Sequence, residues 1–189
     1  MGMDDSDFLW TLYPGEKFTA PEVCMTYSGD GLGMLSRSIH EGFYKHLIRS
    51  PWKEKRRPVL VNNWEATYFD FSGKILLEIA REAAKMELDM LVLDDGWFGK
   101  RNDDYSGLGD WFVNEKKLGC SLKELSDQIH EMGLSFGLWF EPEMISEDSD
   151  LYREHPEWAM VVPGREPIRG RSQLVLDMSR EDVVEYLKE

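Results

Sequence analysis

Leu91-Val92-Leu93-Asp94-Asp95-Gly96-Trp97-Phe98-Gly99 decides how the chain is read. Three branched apolar residues run straight into two adjacent carboxylates, and a glycine and two aromatics follow. A short unbroken apolar run suits a strand covered on both faces, as in a parallel sheet. Asp94 and Asp95 then fall where the strand stops and its loop begins, the end at which α/β barrels and open α/β sheets bind ligands. Two acceptors beside Trp97 and Phe98 suit a sugar, because carboxylates take hydroxyl hydrogens and rings cover the apolar face of a pyranose. The competing reading makes Asp94 a turn cap and Asp95-Gly96 a tight turn.

The sequence on either side repeats this unit. Val59-Leu60-Val61 is a short buried strand ending at Asn62-Asn63-Trp64-Glu65, and Trp64 precedes Asp94 by thirty positions, the usual length of one β/α unit. Between them, residues 72–87 read as a helix with Ile75, Ile79, Ala83 and Met86 on one face. After Asp95 comes a Gly/Asp/Asn-rich loop to about residue 119. Ser121-Leu122-Lys123-Glu124 is a capping box opening a helix with Leu122, Leu125, Ile129 and Met132 inward, stopped by Gly133. A third strand, residues 134–140, ends at Glu141-Pro142-Glu143. Residues 150–170 read as irregular and Leu174-Val175-Leu176-Asp177 as a short apolar run. Ser179-Arg180-Glu181-Asp182 reads as another helix start, with the sequence running to Glu189 inside that helix. An α/β fold of parallel units follows. A closed barrel takes about 250 residues, and only three units fit here, so a partial barrel is expected.

Upstream the pattern changes. Tyr13-Pro14-Gly15 signals a turn, and residues 18–23 and 25–27 are short β-like pieces lacking partners. Leu32, Leu35, Ile39, Phe43 and Leu47 step by three and four, one face of a helix. His40 and His46 lie on or near it, without ligand spacing, and read as packing or surface residues. Residues 50–58, two prolines around a basic cluster, read as a solvated linker rather than an anion site.

The chain has 189 residues, 42% apolar and 12% aromatic, and carries 22 basic against 36 acidic residues for a net charge of −14. That composition is globular, and the charge argues against nucleic acid or an anionic membrane as partner. Cys24 and Cys120 are too few for a disulfide framework. The start, Met1-Gly2-Met3-Asp4-Asp5, lacks an apolar export region, and no apolar run is long enough to span a bilayer. A soluble cytoplasmic protein is the expectation.

Three successive strand ends carry aromatic and acidic residues: Trp64-Glu65, Asp94-Asp95-Gly96-Trp97 and Trp139-Phe140-Glu141-Pro142-Glu143. A barrel brings such ends together on one rim. Retaining glycosidases need two carboxyl groups about 5–5.5 Å apart, which makes Asp94, Asp95, Glu141 and Glu143 candidates. The same oxygens suit a magnesium ion, and Glu141 has the plainer option of pairing with an arginine. Glu141 and Glu143 alternate along the chain and so are expected on one face.

The motifs NNWEATYFDF (62–71), LVLDDGWFG (91–99), GLWFEPEM (137–144) and GRSQLVLD (170–177) closely resemble the bacterial α-galactosidases of glycoside hydrolase family 36. The helix LSRSIH (35–40) and the linker ending RPVLVNNWEA fit the same family, over nearly the whole chain. The resemblance implies a (β/α)8 catalytic barrel behind a large β-sandwich domain. Residues 1–30 then belong to the end of the sandwich region, 31–57 to a helix and linker, and 58–189 to the first three β/α units. It also implies retaining hydrolysis of terminal α-1,6-linked galactose from melibiose, raffinose and stachyose, with no metal and no cofactor, in an enzyme that is commonly homo-oligomeric. By resemblance, Asp94 and Asp95 match the pair that binds the galactose O4 and O6 hydroxyls, Trp64 an aromatic pocket wall, Arg171 a cationic pocket residue and Trp139 a further pocket residue. Glu141 and Glu143 are then not the catalytic pair. The family's nucleophile is the Asp of a KWD strand motif and its acid/base lies further on. Trp-Asp occurs nowhere in this sequence. Both catalytic carboxylates are therefore expected beyond Glu189, and the chain alone is expected to be inactive. A non-catalytic galactose-binding module or a complementing half is the alternative of another class. Within the family the alternatives are α-N-acetylgalactosaminidase and galactosyl transfer.

Overall fold

The computed structural model describes residues 8–167 and 169–188. Residues 1–7, at the start of the expected sandwich segment, and Glu189, beyond which the catalytic carboxylates are expected, lie outside the described residues. The chain divides into two compact units, meeting at Arg57 and Pro58.

In the first unit, Glu16 N–H donates to the Tyr13 carbonyl at 3.0 Å with Gly15 at φ 90°, closing the turn expected at Tyr13-Pro14-Gly15. Helix α1 spans Gly31–Gly42 and runs into a π-helical turn, Phe43–Leu47. Its expected apolar face is mostly uncovered: Leu35 and Ile39 are half-buried, whereas Leu32 is 81% exposed and Phe43 and Leu47 are exposed. His40 and His46 are at the surface. The β-like pieces at 18–23 and 25–27 form no strand, because among the described residues nothing pairs with them.

The second unit is built on three parallel strands in sequence order: β1 (Leu60–Asn62), β2 (Met90–Leu93) and β3 (Ser135–Leu138). Leu60 pairs with Met90 and Met90 with Ser135. One-turn helix α2 (Trp64–Thr67) and helix α3 (Gly73–Lys85) connect β1 to β2, and α4 (Glu115–Leu118) and α5 (Leu122–Glu131) connect β2 to β3. Ser72 Oγ caps α3 by accepting from Ile75 N–H. The Ser121/Glu124 capping box opens α5 as read, and Gly133 at φ 85° follows its end. Gly119, at φ 76°, ends α4.

Leu91 and Leu93 of β2 are fully buried against Leu76, Leu77, Ala80 and Ala83 of α3, Leu125 and Ile129 of α5, and Trp97, Phe98 and Leu108. Three expectations need correction here. The first strand is not buried: Val59 is 49% and Leu60 50% exposed, and only Val61 is half-buried. The helical period of α3 is right and its phase is off by part of a turn: of the expected face, Ala83 is buried and Ile79 packs on the core, but Ile75 is 37% and Met86 71% exposed, and the buried stripe is centred on Leu76, Leu77, Ala80 and Ala83. The apolar surface of this helix is wider than one stripe, and the sheet and α5 take the side with Leu76, Leu77 and Ala80. Nor is β2 closed on both faces: Met90 and Val92 are only half-buried.

Beyond β3 the chain is more ordered than its composition suggests. Met144–Ile145 (β4) and Leu174–Val175 (β5) pair antiparallel, so the apolar run at 174–177 belongs to a small second sheet. The stretch read as irregular holds α6 (Asp150–Glu154) and a 3-10 turn, Pro156–Trp158. The helix start read at Ser179-Arg180-Glu181-Asp182 opens α7 (Glu181–Tyr186), which ends before Glu189. Ile145, Leu151, Trp158, Ala159, Leu174, Leu176 and Val183 of α7 form a second core there. Asp110 reaches across to cap α6, accepting from Asp150 and Leu151 N–H at 2.9 Å each. Burial pushes its carboxyl above the usual range while those two N–H groups pull it back.

A Cβ on Gly73 would lie 2.6 Å from the Leu118 carbonyl oxygen and 3.1 Å from Cys120 Sγ. Gly73→Ala is expected to lower stability by about 1–3 kcal/mol through overpacking, read as a drop in the urea midpoint at constant m. An unchanged midpoint would contradict this packing.

Candidate functional site

The carboxyl ends of β1, β2 and β3 lie side by side, and three asparagine and aspartate side chains fasten the first two. Asn63, fully buried, accepts from Asp94 N–H at 2.8 Å, and its own N–H donates to the Val92 carbonyl at 3.3 Å. Asn62 Oδ1 accepts from the N–H of Trp64, the first residue of α2, at 2.7 Å, and Asn62 Nδ2 donates to Asp94 Oδ2. Asp94 Oδ1 accepts from Asp95 N–H at 2.7 Å. Asp94 thus does both things the sequence allowed: it turns the chain, and its half-buried carboxylate still borders solvent at the strand end.

Asp95 is different. It is 4% exposed, and Arg101, 0% exposed, grips it with Nε 3.0 and 3.1 Å from its two oxygens and Nη2 at 2.7 Å. Arg101 Nη1 donates to the Ser106 carbonyl at 2.9 Å, so the loop after β2 folds around the guanidinium. Each carboxylate oxygen has two lone pairs, so the grip leaves acceptor capacity for a further donor. Gly96 at φ 94° makes the turn possible; a Cβ there would meet Phe69 Cδ1 at 2.8 Å. Phe69 also meets the Trp64 ring edge-on at 5.0 Å and lies under Arg101 and Lys117. Lys117 Nζ donates to the Gly96 carbonyl at 2.9 Å; burial pushes its ammonium below the ordinary range, against the pull of Asp95 and Asp70.

Trp139 sits one strand further on. Its N–H donates to the Leu93 carbonyl at 2.8 Å and its carbonyl accepts from the Trp97 indole at 2.9 Å. Its ring lies parallel to Phe98, centroids 6.4 Å apart, and 6.3 Å from Trp111. Trp64, Asp94, Asp95 and Trp139 are therefore placed at the ends of three adjacent strands. Arg171 reaches the same region from another element. It is at the tip of a two-residue hairpin closed by Gln173 N–H to the Gly170 carbonyl at 2.9 Å, with Arg171 and Ser172 both at positive φ. Its Nη2 lies 3.2 Å from Asp104 Oδ1, which is also 3.9 Å from Arg101 Nη2.

Glu141 and Glu143 do not alternate on an extended strand. Met144 N–H donates to the Glu141 carbonyl at 3.2 Å, so the chain turns at Pro142. Glu141 has no ion pair with an arginine among the described residues, and its Oε2 is buried without a hydrogen-bond partner. Burial first, then Glu143, raises its carboxyl above the usual range; Arg171 and Arg101 pull it down and Asp95 adds to the rise. Among the described residues no group of His, Cys, Asp and Glu is placed to hold a metal ion, and no helix is long and apolar enough to cross a membrane. Sequence reasoning missed Arg101, Asn63, Phe69, Lys117 and Asp104. The Asn62-Asn63 doublet at a strand end was a usable signal, whereas nothing marks Arg101 within its polar loop as the buried cation.

A parallel α/β sheet whose strand ends gather carboxylates and tryptophans is the class these features define. The chain belongs to the Melibiase family, whose model matches residues 17–189. It is 54% identical over 183 residues to the bifunctional alpha-galactosidase/sucrose kinase AgaSK of Mediterraneibacter gnavus, covering 97% of this chain and 20% of that protein. It is 52% identical over 189 residues to alpha-galactosidase AgaA of Geobacillus stearothermophilus, covering 100% of this chain and 26% of that protein. A crystal structure of a GH36 alpha-galactosidase AgaA variant from Geobacillus stearothermophilus in complex with raffinose superposes with a TM-score of 0.91, at 52% identity, over 98% of this chain and 26% of that one. The family resemblance read from the motifs is confirmed, and the chain spans a fifth to a quarter of these relatives.

Arg101→Met is expected to destabilise the fold by about 3–5 kcal/mol, because it leaves Asp95 buried without a counter-ion. The double variant with Asp95→Leu is expected to recover most of that loss in urea unfolding. A single variant as stable as the parent would contradict the buried pair.

Proposed function

We propose that this chain is the galactose-recognising part of an α-galactosidase that hydrolyses terminal α-1,6-linked galactose from oligosaccharides such as melibiose and raffinose with retention. The observation that carries the reading is the set of strand ends: Asp94 half-buried with a carboxylate bordering solvent, Asp95 fixed beside it by Arg101, and tryptophans on the neighbouring strands. Paired, pre-oriented acceptors suit the axial O4 and the O6 hydroxyl of galactose, and Trp64 and Trp139 supply apolar ring surfaces. Arg171 contributes a cation on the hydroxyl-bearing side. The similarity to alpha-galactosidases at 52–54% identity supports the same substrate class.

On this reading β1, β2 and β3 are the first three strands of a (β/α)8 barrel, residues 31–57 lead into it, and residues 1–30 belong to the end of a β-sandwich region. Sequential parallel strands with helical crossovers and polar carboxyl ends support the barrel. The nucleophile and acid/base are assigned beyond Glu189, because no KWD motif occurs among these 189 residues. The whole enzyme is read as a cytoplasmic homo-oligomer acting on galactosides, without nucleic-acid or membrane partners.

In the full-length enzyme, Asp94→Ala is expected to reduce turnover of an aryl α-galactoside by on the order of 10²–10⁴-fold, since a site built to bond a hydroxyl loses its acceptor. Turnover close to that of the parent would sink the pocket assignment. The parent is expected to prefer the aryl α-galactoside to the α-glucoside and the α-N-acetylgalactosaminide. Faster release from the last substrate would favour the α-N-acetylgalactosaminidase reading.

A further inference from the structure

Asn62 is the last residue of β1, and its side chain joins two residues of the proposed pocket. Its Oδ1 accepts from the Trp64 backbone N–H at 2.7 Å, and its Nδ2 donates to Asp94 Oδ2. The sheet register makes that reach possible. Asn62 pairs with Val92 across β1 and β2. Side chains alternate along a strand, so Asn62, Val92 and, two positions on, Asp94 lie on one face. A backbone N–H can only donate, and an ionised carboxylate can only accept. The group between them must accept on one side and donate on the other, which an amide does and an ionised carboxylate cannot. Asp94 Oδ1 is held as well, by the Asp95 N–H at 2.7 Å. Both oxygens are engaged, and each keeps a lone pair for a ligand.

We propose that Asn62 is a positioning residue that locks the plane of the Asp94 carboxylate and so aims its remaining lone pairs at the sugar hydroxyls. It rests on the reading that Asp94 binds the galactoside. The bond from Asp95 N–H alone would leave Asp94 Oδ2 free to swing about the Cβ–Cγ bond. The Asn62 amide removes that freedom before substrate arrives, so less ordering accompanies binding. The amide also adds no charge to a region that already holds Glu65, Asp94 and Asp95.

The test is kcat/KM for an aryl α-galactoside in the full-length enzyme carrying Asn62→Asp, divided by the parent's value at each pH. The substitution preserves shape and keeps the acceptor for Trp64 N–H, so only the donor to Asp94 is changed. With both carboxyls ionised they repel and Asp94 is released. The ratio is then expected to fall about tenfold or more, as for loss of a charge-assisted hydrogen bond. Two carboxyls sharing a site hold their last proton to a raised pH. Below that pH the shared proton replaces the amide N–H and the ratio recovers; above it the loss is complete. The ratio is therefore expected to be near one at about pH 5 and lowest at about pH 8. Asn62→Ala, with no proton to share, is expected to show the loss at both. The other charged groups of the region are Glu65 on α2, Asp95 with Arg101 after β2, Lys117 on α4 and Glu141 after β3. They are common to the parent and both variants, so their titration divides out. Recovery on acidification within one protein separates positioning from misfolding. An Asn62→Asp ratio near one at about pH 8, or an equal loss at both pH values, would overturn the proposal while the parent's turnover left the function reading intact. A parent that released no galactose would overturn both.

Discussion

The buried pair of Asp95 and Arg101 is the constraint on which the rest of the strand-end region depends. A carboxylate and a guanidinium removed from water are tolerated only when their hydrogen-bonding capacity is met. Here it is met by a bidentate grip, by the Ser106 carbonyl and by the ring of Phe69 beneath. Meeting it forces the loop after β2 to close on itself, and that closure sets much else. It brings Asp104 out toward Arg171 and seats the Lys117 ammonium on the Gly96 carbonyl. It also leaves Trp97, Phe98 and Trp111 packed over Trp139 at the end of the next strand. An acidic chain thus organises its strand ends around one internal cation rather than around the many carboxylates that its composition advertises.

That arrangement explains what the sequence could and could not tell. The β/α alternation was legible because strands and helices leave periodic marks and because Ser121-Leu122-Lys123-Glu124 caps α5 by a purely local geometry. The acidic and aromatic strand ends were legible because each follows an apolar run directly. What stayed hidden depends on contacts between distant segments. The phase of α3 turns on which part of its wide apolar surface meets the sheet. The β4–β5 pair joins residues thirty apart with only two residues in each strand. Arg101 looks like any loop arginine until the fold around it is known. The β-like segments before residue 30 show the converse, a local pattern with no partner to realise it among the described residues.

The carboxylates at the strand ends are not alike. Four were nominated on chemistry alone, and the structure separates them by what already occupies them. Asp95 is gripped by an arginine, Asp94 shares itself between a turn and solvent, Glu143 is exposed in a turn, and Glu141 holds an oxygen that nothing fills. In this chain the loop after β2 decides how each carboxylate can be used.

The order of the three parallel strands has a consequence for how the molecule is made. Leu60 must find Met90, thirty positions on, and Met90 must find Ser135, forty-five positions on. Closing such loops is an entropic debt incurred before any strand contact returns it. The capped helices α3 and α5 shorten those loops by folding locally, but Leu91 and Leu93 are sealed only when both crossovers are complete. The cover of Leu91 and Leu93 therefore comes from both sides of the sequence, and a chain made only as far as β2 has none of the cover that α5 supplies.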